Sequence, residues 1–189
     1  MVADADWIEL KRHPSTAAEA VGGVQVSLNR AAGGELLIRY RLEGEISRIR
    51  IPPPSVPQIG KELWRHTCFE VFIAVDGQVA YHEFNFAPSR EWTVYALRAY
   101  RDGVPLMDQM MRPDIAVRSD GSRFELDGVV RLNLLSAIHP GALLRVGLSA
   151  VIEASDGISY WALSHPGSKP DFHNAEAFGL VLEPSDSDG

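Results

Sequence analysis

The sequence predicts an all-β fold, an antiparallel two-layer β-sandwich of jelly-roll-like build with little helix, from three observations. Apolar and polar residues alternate over short runs along most of the chain, which is typical of strands with one buried face. Asp-Gly pairs separate most of these runs and are a strong hairpin signal. The runs number roughly nine or ten, with only brief helical patterns, which favours a sandwich or jelly roll. The pairs are Asp76-Gly77, Asp102-Gly103, Asp120-Gly121, Asp127-Gly128 and Asp156-Gly157.

The individual strands are predicted from the alternation and from its breaks. Residues 24–28 and 36–40 alternate on either side of Gly33-Gly34, which predicts a first hairpin. Residues 46–51 form a further strand, and three prolines at 52–54 end it because proline cannot donate to a ladder. A loop then continues to residue 62. Later strands are predicted at residues 69–73, 81–86, 92–100, 123–132, 143–153, 158–163 and 178–182, with helical turns or loops at 106–111 and 134–138.

Composition and charge restrict the class of protein. The 189 residues, 46% hydrophobic and 23% charged, have the composition of one globular domain. A formal net charge of −7 argues against a nucleic-acid partner, which requires a concentrated basic face. No apolar run reaches the roughly 18 residues of a membrane span, and the N-terminal residues lack the build of a signal peptide. We therefore expect a cytoplasmic protein with no membrane partner.

The single cysteine, Cys68, excludes an intramolecular disulfide and fits a reducing compartment. It stands in an apolar, strand-like run. Because cysteine is among the most buried residue types, this position predicts a packing role rather than a reactive thiol.

The hairpin at Asp76-Gly77 is the first candidate site. A two-residue turn there sets Glu70 directly across from Glu83, with Cβ atoms about 4.5–5.5 Å apart. The residues that share this face are Cys68, Glu70, Phe72, Tyr81, Glu83 and Asn85, in the opposite pairs 68–85, 70–83 and 72–81. The other face, predicted to be the core side, carries Phe69, Val71 and Ile73 against Phe84, His82 and Ala80. A bulged turn would shift this register by one residue.

Two facing carboxylates are destabilising unless something compensates them, and three explanations stay open. Arginines of a neighbouring strand, Arg39, Arg41 or Arg98, neutralise both on a solvated face. Alternatively, the carboxylates and Asn85 bind a hydroxyl-rich ligand, with Tyr81 and Phe72 supplying apolar contact. The third explanation is a glycosidase-like pair, since retaining enzymes hold two carboxyls about 5–5.5 Å apart.

The second candidate site is the segment 161–173, which is rich in turn formers yet carries aromatic, basic and acidic side chains. Polar loops on rigid scaffolds often carry binding groups. Its candidates are Trp161, His165, Lys169, Asp171 and His173. The alternative is that Asp171 and His173 hydrogen-bond the loop backbone. The spacing of the two histidines matches no standard zinc motif, so no metal site is predicted.

Three stretches resemble the DOMON-like superfamily, whose sandwich is related to family 9 carbohydrate-binding modules. They are Leu63 to Ile73 with Trp64 and Glu70, Tyr81 to Pro88 with Trp92 following, and Trp161 to His173 leading into Phe178-Gly179. The resemblance implies a β-sandwich that binds sugars, or haem in other branches, and usually has no catalysis of its own. Together with the length of the chain, it predicts one DOMON-like domain over residues 1–183. Residues 184–189 are rich in Ser and Asp, which predicts a flexible tail.

The resulting prediction is a non-enzymatic binding domain for a saccharide or a similar polar small molecule. Three alternatives are a sugar-active enzyme that uses Glu70 and Glu83 as acid and base, a haem-binding domain, and a protein-interaction module that uses residues 104–111. No catalytic residue is assigned, and the sequence leaves the cofactor and the oligomeric state open. The predicted ligand-binding residues are Trp64, Glu70, Tyr81, Glu83, Asn85, Trp161, His165, Lys169, Asp171 and His173.

Overall fold

The computed structural model describes residues 6–31, 33–136 and 138–184, which form thirteen strands and one short α-helix. In chain order the strands are β1 (Ile8–Glu9), β2 (Lys11–Arg12), β3 (Val21–Arg30), β4 (Glu35–Gly44), β5 (Cys68–Val75), β6 (Tyr81–Phe86), β7 (Trp92–Ala99), β8 (Asp102–Pro105), β9 (Asp114–Ser119), β10 (Arg123–Arg131), β11 (Leu144–Ala154), β12 (Gly157–Ala162) and β13 (Leu180–Leu182). The helix is α1 (Leu132–Leu135). Of the predicted tail, residues 185–189 lie outside the described residues. Within the described ranges, no helix is long and apolar enough to cross a membrane.

Two antiparallel sheets pack face to face, which confirms the predicted two-layer β-sandwich. One sheet has the strand order β1-β3-β4-β10-β9. The other has the order β2-β12-β11-β5-β6-β7-β8, and β13 also pairs with β11. The core lies between the sheets, and its largest fully buried side chains are Tyr40, Phe69, Phe84, Phe86, Trp92 and Phe124. Each sheet keeps an outer face, and the two outer faces differ.

The outer face of the five-stranded sheet is charged and solvated. Along β4 the alternation turns Tyr40 into the core and turns Arg39 and Arg41 outward. Arg39 pairs with Asp127 at 3.4 Å and Arg41 with Glu125 at 3.0 Å, both on β10. These two arginines therefore lie on the wrong sheet to neutralise the carboxylates of the β5–β6 hairpin, and that prediction is wrong for both of them.

The central strand of the larger sheet, β5, is buried on both of its faces. Phe69, Val71 and Ile73 enter the core between the sheets, as predicted. Cys68 and Phe72 point to the outer face and yet are at most 1% exposed. The buried thiol of Cys68 agrees with a packing role. An outer face this well buried requires a further layer of chain over it.

The segment 163–179, the covering loop, forms that further layer. Strands β12 and β13 pair with the same edge of β11, at residues 149–154 and 144–146. The chain between them leaves the sheet edge and crosses the outer face, where Phe178 stacks on Phe72 with ring centroids 5.5 Å apart. A Cβ atom on Gly147 would lie 2.6 Å from Cδ1 of Phe178. The absence of a side chain at Gly147 thus allows the covering loop to lie against the sheet.

The β5–β6 hairpin has a different register from the predicted one. Glu70 pairs with Asn85, and Phe72 pairs with Glu83. The turn itself forms at Asp76-Gly77, where Gln78 N donates to Val75 O at 2.9 Å. Residues 79 and 80 stay outside the ladder, so pairing resumes two residues later than predicted. Because the shift is two residues, every side chain keeps its predicted face, but the two glutamates lie diagonally rather than opposite.

Other differences concern short elements. Residues 46–51 form a 3₁₀ turn (Ile46–Arg48) and one isolated bridge, not a regular strand. Asp127-Gly128 lies inside β10, and Asp102-Gly103 begins β8, so neither pair forms the turn itself. The sequence reading missed the two-residue strands β1 and β2, the edge strand β8, and β9. The predicted interaction segment 104–111 exposes Val104, Met107 and Met110, whereas Met111 enters the core.

Candidate functional site

A buried row of polar side chains crosses the outer face of the larger sheet. The cross-strand partners Thr93, Asn85, Glu70 and Ser149 lie side by side on β7, β6, β5 and β11. All four are at most 3% exposed. Buried polar groups are costly without partners. A row of four on one sheet face is therefore the first mark of a functional surface.

Glu70 is the centre of this row and carries an unsatisfied oxygen. Its Oε1 atom is buried and has no hydrogen-bond partner among the described residues. Burial, and then the nearby Glu83 carboxyl, raise the pKa of Glu70 well above its usual value, and Arg101 only partly opposes them. Burial disfavours the charged form of a carboxyl group. In its protonated form, which burial favours, the Glu70 carboxyl group can both donate and accept a hydrogen bond.

Glu83 is held by its neighbours. Asn85 Nδ2 donates to Glu83 Oε1 at 2.7 Å, and Nε2 of His173 lies 3.7 Å from Glu83 Oε2. Nδ1 of His173 lies 2.8 Å from the Tyr81 hydroxyl. Burial, and then Arg101, lower the pKa of His173 to about 4. The ring is therefore neutral at pH 7. In the tautomer that carries its proton on Nε2, on the side of Glu83, Nδ1 accepts a hydrogen bond from the Tyr81 hydroxyl.

Arg101 brings a positive charge to this surface, and the sequence did not single it out. It lies in the turn between β7 and β8 with a left-handed backbone, φ 54°. Its Nη2 donates to Asp171 Oδ1 at 2.9 Å, and the Tyr100 hydroxyl donates to Asp171 Oδ2 at 2.8 Å. Arg98, the third predicted neutralising residue, instead pairs with Asp102 at 2.6 Å. A non-glycine residue in this backbone region indicates a constraint imposed by the surroundings.

A small cavity opens above Glu70. Its volume is about 120 Å³. Aromatic side chains form its apolar walls, namely Trp64, Tyr160 and Phe172. Its polar groups are Glu70, Arg101 and His173. Trp64 is 44% exposed, an unusual exposure for a tryptophan, because it sits at the rim.

A larger cavity of about 460 Å³ adjoins the small one at His173, which lines both. Its aromatic walls are Tyr81, Tyr100 and Phe178, and Arg145 adds a positive charge. A third cavity, also about 460 Å³, lies far from this surface between the proline run and β9–β10 and has mainly apolar walls.

Most of the predicted ligand-binding residues converge on this surface. Trp64 and Glu70 line the small cavity, Tyr81 and Asp171 line the larger one, and His173 lines both. Glu83 and Asn85 lie on the same sheet face but line neither cavity. The structure thus brings together two segments that the sequence presented separately.

Three predicted residues lie elsewhere. Trp161 faces inward and packs in the core between the sheets, and its Nε1 atom donates to Ser159 Oγ at 2.9 Å. Nε2 of His165 lies 2.8 Å from the Lys11 carbonyl oxygen. Lys169 is exposed on the covering loop and lines neither cavity. Within the described residues, no group of three or more His, Cys, Asp or Glu side chains is arranged to hold a metal ion.

The fold is similar to that of solved carbohydrate-binding proteins. One is a Bacteroides uniformis protein provisionally described as carbohydrate-binding. The match covers 93% of this chain and 84% of that protein's chain, with a TM-score of 0.70 and 14% identity. A family 9 carbohydrate-binding module from Caldicellulosiruptor kristjanssonii, in complex with glucose, matches 84% of this chain over 74% of its own, with a TM-score of 0.52 and 10% identity. A structure of a family 9 carbohydrate-binding module from the same organism in complex with cellotriose is also similar. The match covers 84% of this chain and 72% of that chain, with a TM-score of 0.50 and 10% identity.

At these identities the similarity shows a shared fold, the β-sandwich of carbohydrate-binding modules. No protein-family model matches the sequence, and no curated protein matches it.

Proposed function

We propose that this chain is a DOMON-like domain that binds a saccharide in the small cavity between Trp64, the covering loop and Glu70. One observation carries the proposal: three aromatic side chains surround a buried carboxyl group that has an unsatisfied oxygen. Ligand sites of this kind combine apolar walls with a few fixed polar groups. The apolar face of a sugar ring suits the aromatic walls, and its hydroxyls suit the carboxyl and guanidinium groups.

The size of the cavity limits what enters it. A volume of about 120 Å³ is well below the roughly 300–1,000 Å³ of sites for drug-sized ligands. The cavity therefore receives no more than one sugar ring, with the exposed Trp64 covering one side of it. A longer saccharide extends out of the small cavity along the surface.

The lining supports binding better than glycoside hydrolysis. Hydrolysis by the usual route requires two carboxyl groups on either side of the scissile bond. Glu70 lines the cavity, whereas Glu83 does not line it and accepts a hydrogen bond from Asn85. The fold of the glucose and cellotriose complexes adds support for a saccharide ligand.

Isothermal titration calorimetry against glucose, cellobiose, cellotriose, galactose, mannose and xylose tests the proposal. We expect at least one of these sugars to bind. Trp64→Ala should weaken that binding roughly tenfold or more, because exposed aromatic anchors carry much of the binding energy in such sites. Glu70→Leu, which keeps the volume but removes the polar oxygens, should weaken it similarly.

A matched control is Trp7→Ala. Trp7 lies on the outer face of the other sheet, where the Arg41 guanidinium stacks on its ring at 4.0 Å. This variant should bind sugar like the unmodified protein. Absence of binding to these sugars and to acidic derivatives of them, or equal binding by Trp64→Ala and the unmodified protein, would overturn the proposal.

A further inference from the structure

The larger cavity has the size and walls of a ligand site of its own. Its volume of about 460 Å³ falls within the range of about 300–1,000 Å³ that ligand pockets occupy. Tyr81, Tyr100 and Phe178 give it aromatic walls, and Asn174 adds an amide. His173 lines both cavities, so the small cavity and the larger one adjoin at this side chain.

Arg145 places a positive charge without a counter-charge on the wall of the larger cavity. It lies on β11, across from Ala74 of β5. Its Nη2 donates to the carbonyl oxygens of Phe178 at 3.2 Å and Ala175 at 3.4 Å, which hold the guanidinium in place but are uncharged. Among the described residues it forms no ion pair with a carboxylate. The other N–H groups of the planar guanidinium can donate hydrogen bonds to an anion.

Of the residues that the structure describes, Asp171 is the one carboxylate that lines the larger cavity, and its charge is already balanced by Arg101. Asp171 accepts hydrogen bonds from Arg101 and Tyr100. Burial alone would raise the pKa of Asp171, but the hydrogen bonds from Tyr100 and Arg101 outweigh it and lower that pKa. Asp171 is therefore ionised and paired, and the charge left over on the cavity wall is that of Arg145.

We infer that this surface selects an acidic saccharide, with a neutral sugar ring in the small cavity and an anionic group of the adjoining unit on Arg145 in the larger one. The anionic group is a carboxylate or a phosphate ester, since the arginine fork matches the oxygens of both. This inference rests on the proposed saccharide-binding function and adds the charge of the ligand to it.

The test compares disaccharides that differ only in charge. The probes are cellobiose, its two forms with a carboxylate at C6 of one ring, and its two 6-phosphates. We expect at least one acidic probe to bind tenfold or more tightly than cellobiose, because hydrogen bonds between charged groups are stronger than neutral ones. Raising the salt concentration should reduce this preference.

The variants Arg145→Met and Arg112→Met show whether Arg145 causes the preference. Arg112 is exposed and lines neither cavity, so its variant changes the net charge equally and should keep the preference. Arg145→Met should lose the preference, so that the acidic probes bind it no more tightly than cellobiose does, and thermal unfolding shows that it is folded. Arg145→Lys should keep only part of it.

Equal binding of neutral and acidic probes, or a preference that survives in Arg145→Met, would overturn the inference while leaving the saccharide site intact. If carboxylate probes gain affinity and phosphates do not, the ligand is a uronate; the reverse result indicates a sugar phosphate. Absence of binding by every probe, cellobiose and glucose included, overturns the proposed function together with this inference.

Discussion

Asn85, rather than Glu83, lies directly across from Glu70 in the β5–β6 hairpin, and its amide donates to Glu83 Oε1 at 2.7 Å. This amide gives a partner to the Glu83 carboxyl group, whereas the Glu70 carboxyl group has none among the described residues. Burial is then the main influence on Glu70, and the pKa of Glu70 lies well above its usual value. The arrangement leaves Glu70 Oε1 buried without a partner among the described residues, at a cost in stability.

The first prediction concerns that cost. A carboxyl group whose pKa is raised by folding contributes stability below its unfolded pKa, near 4.5, and this contribution is lost as the pH rises toward the folded pKa. Glu70→Gln, which mimics the neutral form, should therefore be more stable than the unmodified protein at pH 7 and similar to it near pH 4. Each tenfold change in proton affinity corresponds to about 1.4 kcal/mol. Urea unfolding at several pH values measures the effect.

Glu125→Gln is the matched control, and its effect on stability at pH 7 should be opposite to that of Glu70→Gln. Burial alone would raise the pKa of Glu125, but hydrogen bonds from Arg41 and Arg118 outweigh it and lower that pKa. Glu125→Gln should thus be less stable than the unmodified protein at pH 7. If both glutamine variants change stability in the same direction, the account of Glu70 is wrong.

The second prediction concerns His173 and acid. Burial and Arg101 lower the pKa of His173 to about 4, whereas an unfolded histidine titrates near 6.5. A base whose pKa is lowered by folding contributes stability above 6.5, and this contribution is lost as the pH falls toward 4. His173→Asn removes the titration and keeps an acceptor for the Tyr81 hydroxyl. Its stability should fall less between pH 6.5 and 4, by up to about 3 kcal/mol.

A second histidine provides a check on this account. Burial, and then His139, lower the pKa of His82 to about 4 as well, at a different place in the fold. His82→Asn should remove a separate part of the acid dependence, and the two effects should add because the sites do not share partners. An unchanged pH dependence in His173→Asn would contradict the prediction.

The sequence predicts which face each hairpin residue takes, but not which residues lie opposite one another. Alternation fixes the face of Glu70 and Glu83 for any register that differs by an even number of residues. The register depends on where pairing resumes after the turn. Asp76 N donates to Leu143 O of a distant segment at 2.9 Å, and Val79 stays 73% exposed outside the ladder. The sequence near the turn contains no pattern that predicts such long-range contacts.

The same limit applies to the site as a whole. The sequence singled out Tyr81 and His173 separately, yet their hydrogen bond joins residues 92 positions apart. Arg101 comes from the turn between β7 and the edge strand β8, and Tyr160 and Phe172 carry no motif of their own. Trp161 is predicted to bind ligand as part of the segment 161–173, but the alternation along β12 sends its ring to the face opposite that of Tyr160. Only the crossing of the covering loop brings the site together.

The third prediction concerns the contact between the sheets. The Tyr40 hydroxyl, on the five-stranded sheet, donates to the backbone carbonyl of Glu70 at 2.7 Å inside the core. Tyr40→Phe should reduce the free energy of unfolding by about 1–2 kcal/mol, because a buried hydrogen bond is lost without a change of shape. Tyr95→Phe is the control, since the Tyr95 hydroxyl has no hydrogen bond within the described ranges. A larger loss in the control would contradict the prediction.

The fourth prediction concerns Gly147 and the seat of the covering loop. An alanine Cβ there would lie 2.6 Å from Cδ1 and 3.1 Å from Cε1 of Phe178. Phe178 is 3% exposed and stacked on Phe72, so its ring has no free space to enter. Gly147→Ala should therefore cost about 1–3 kcal/mol of stability through overpacking, and it should weaken saccharide binding by displacing the loop.

Gly128→Ala separates this overlap from the general effect of adding a methyl group to a strand. Gly128 is a buried glycine of β10, and its new Cβ would meet Phe86 at 3.7 Å, an ordinary contact. Alanine in a strand interior avoids the entropic cost of glycine, roughly 0.5–1 kcal/mol, so this variant should be as stable as the unmodified protein or more stable. Thermal unfolding of both variants, with sugar titrations alongside, measures the difference. Equal stability of the two would mean that Phe178 moves away freely and that Gly147 does not seat the covering loop.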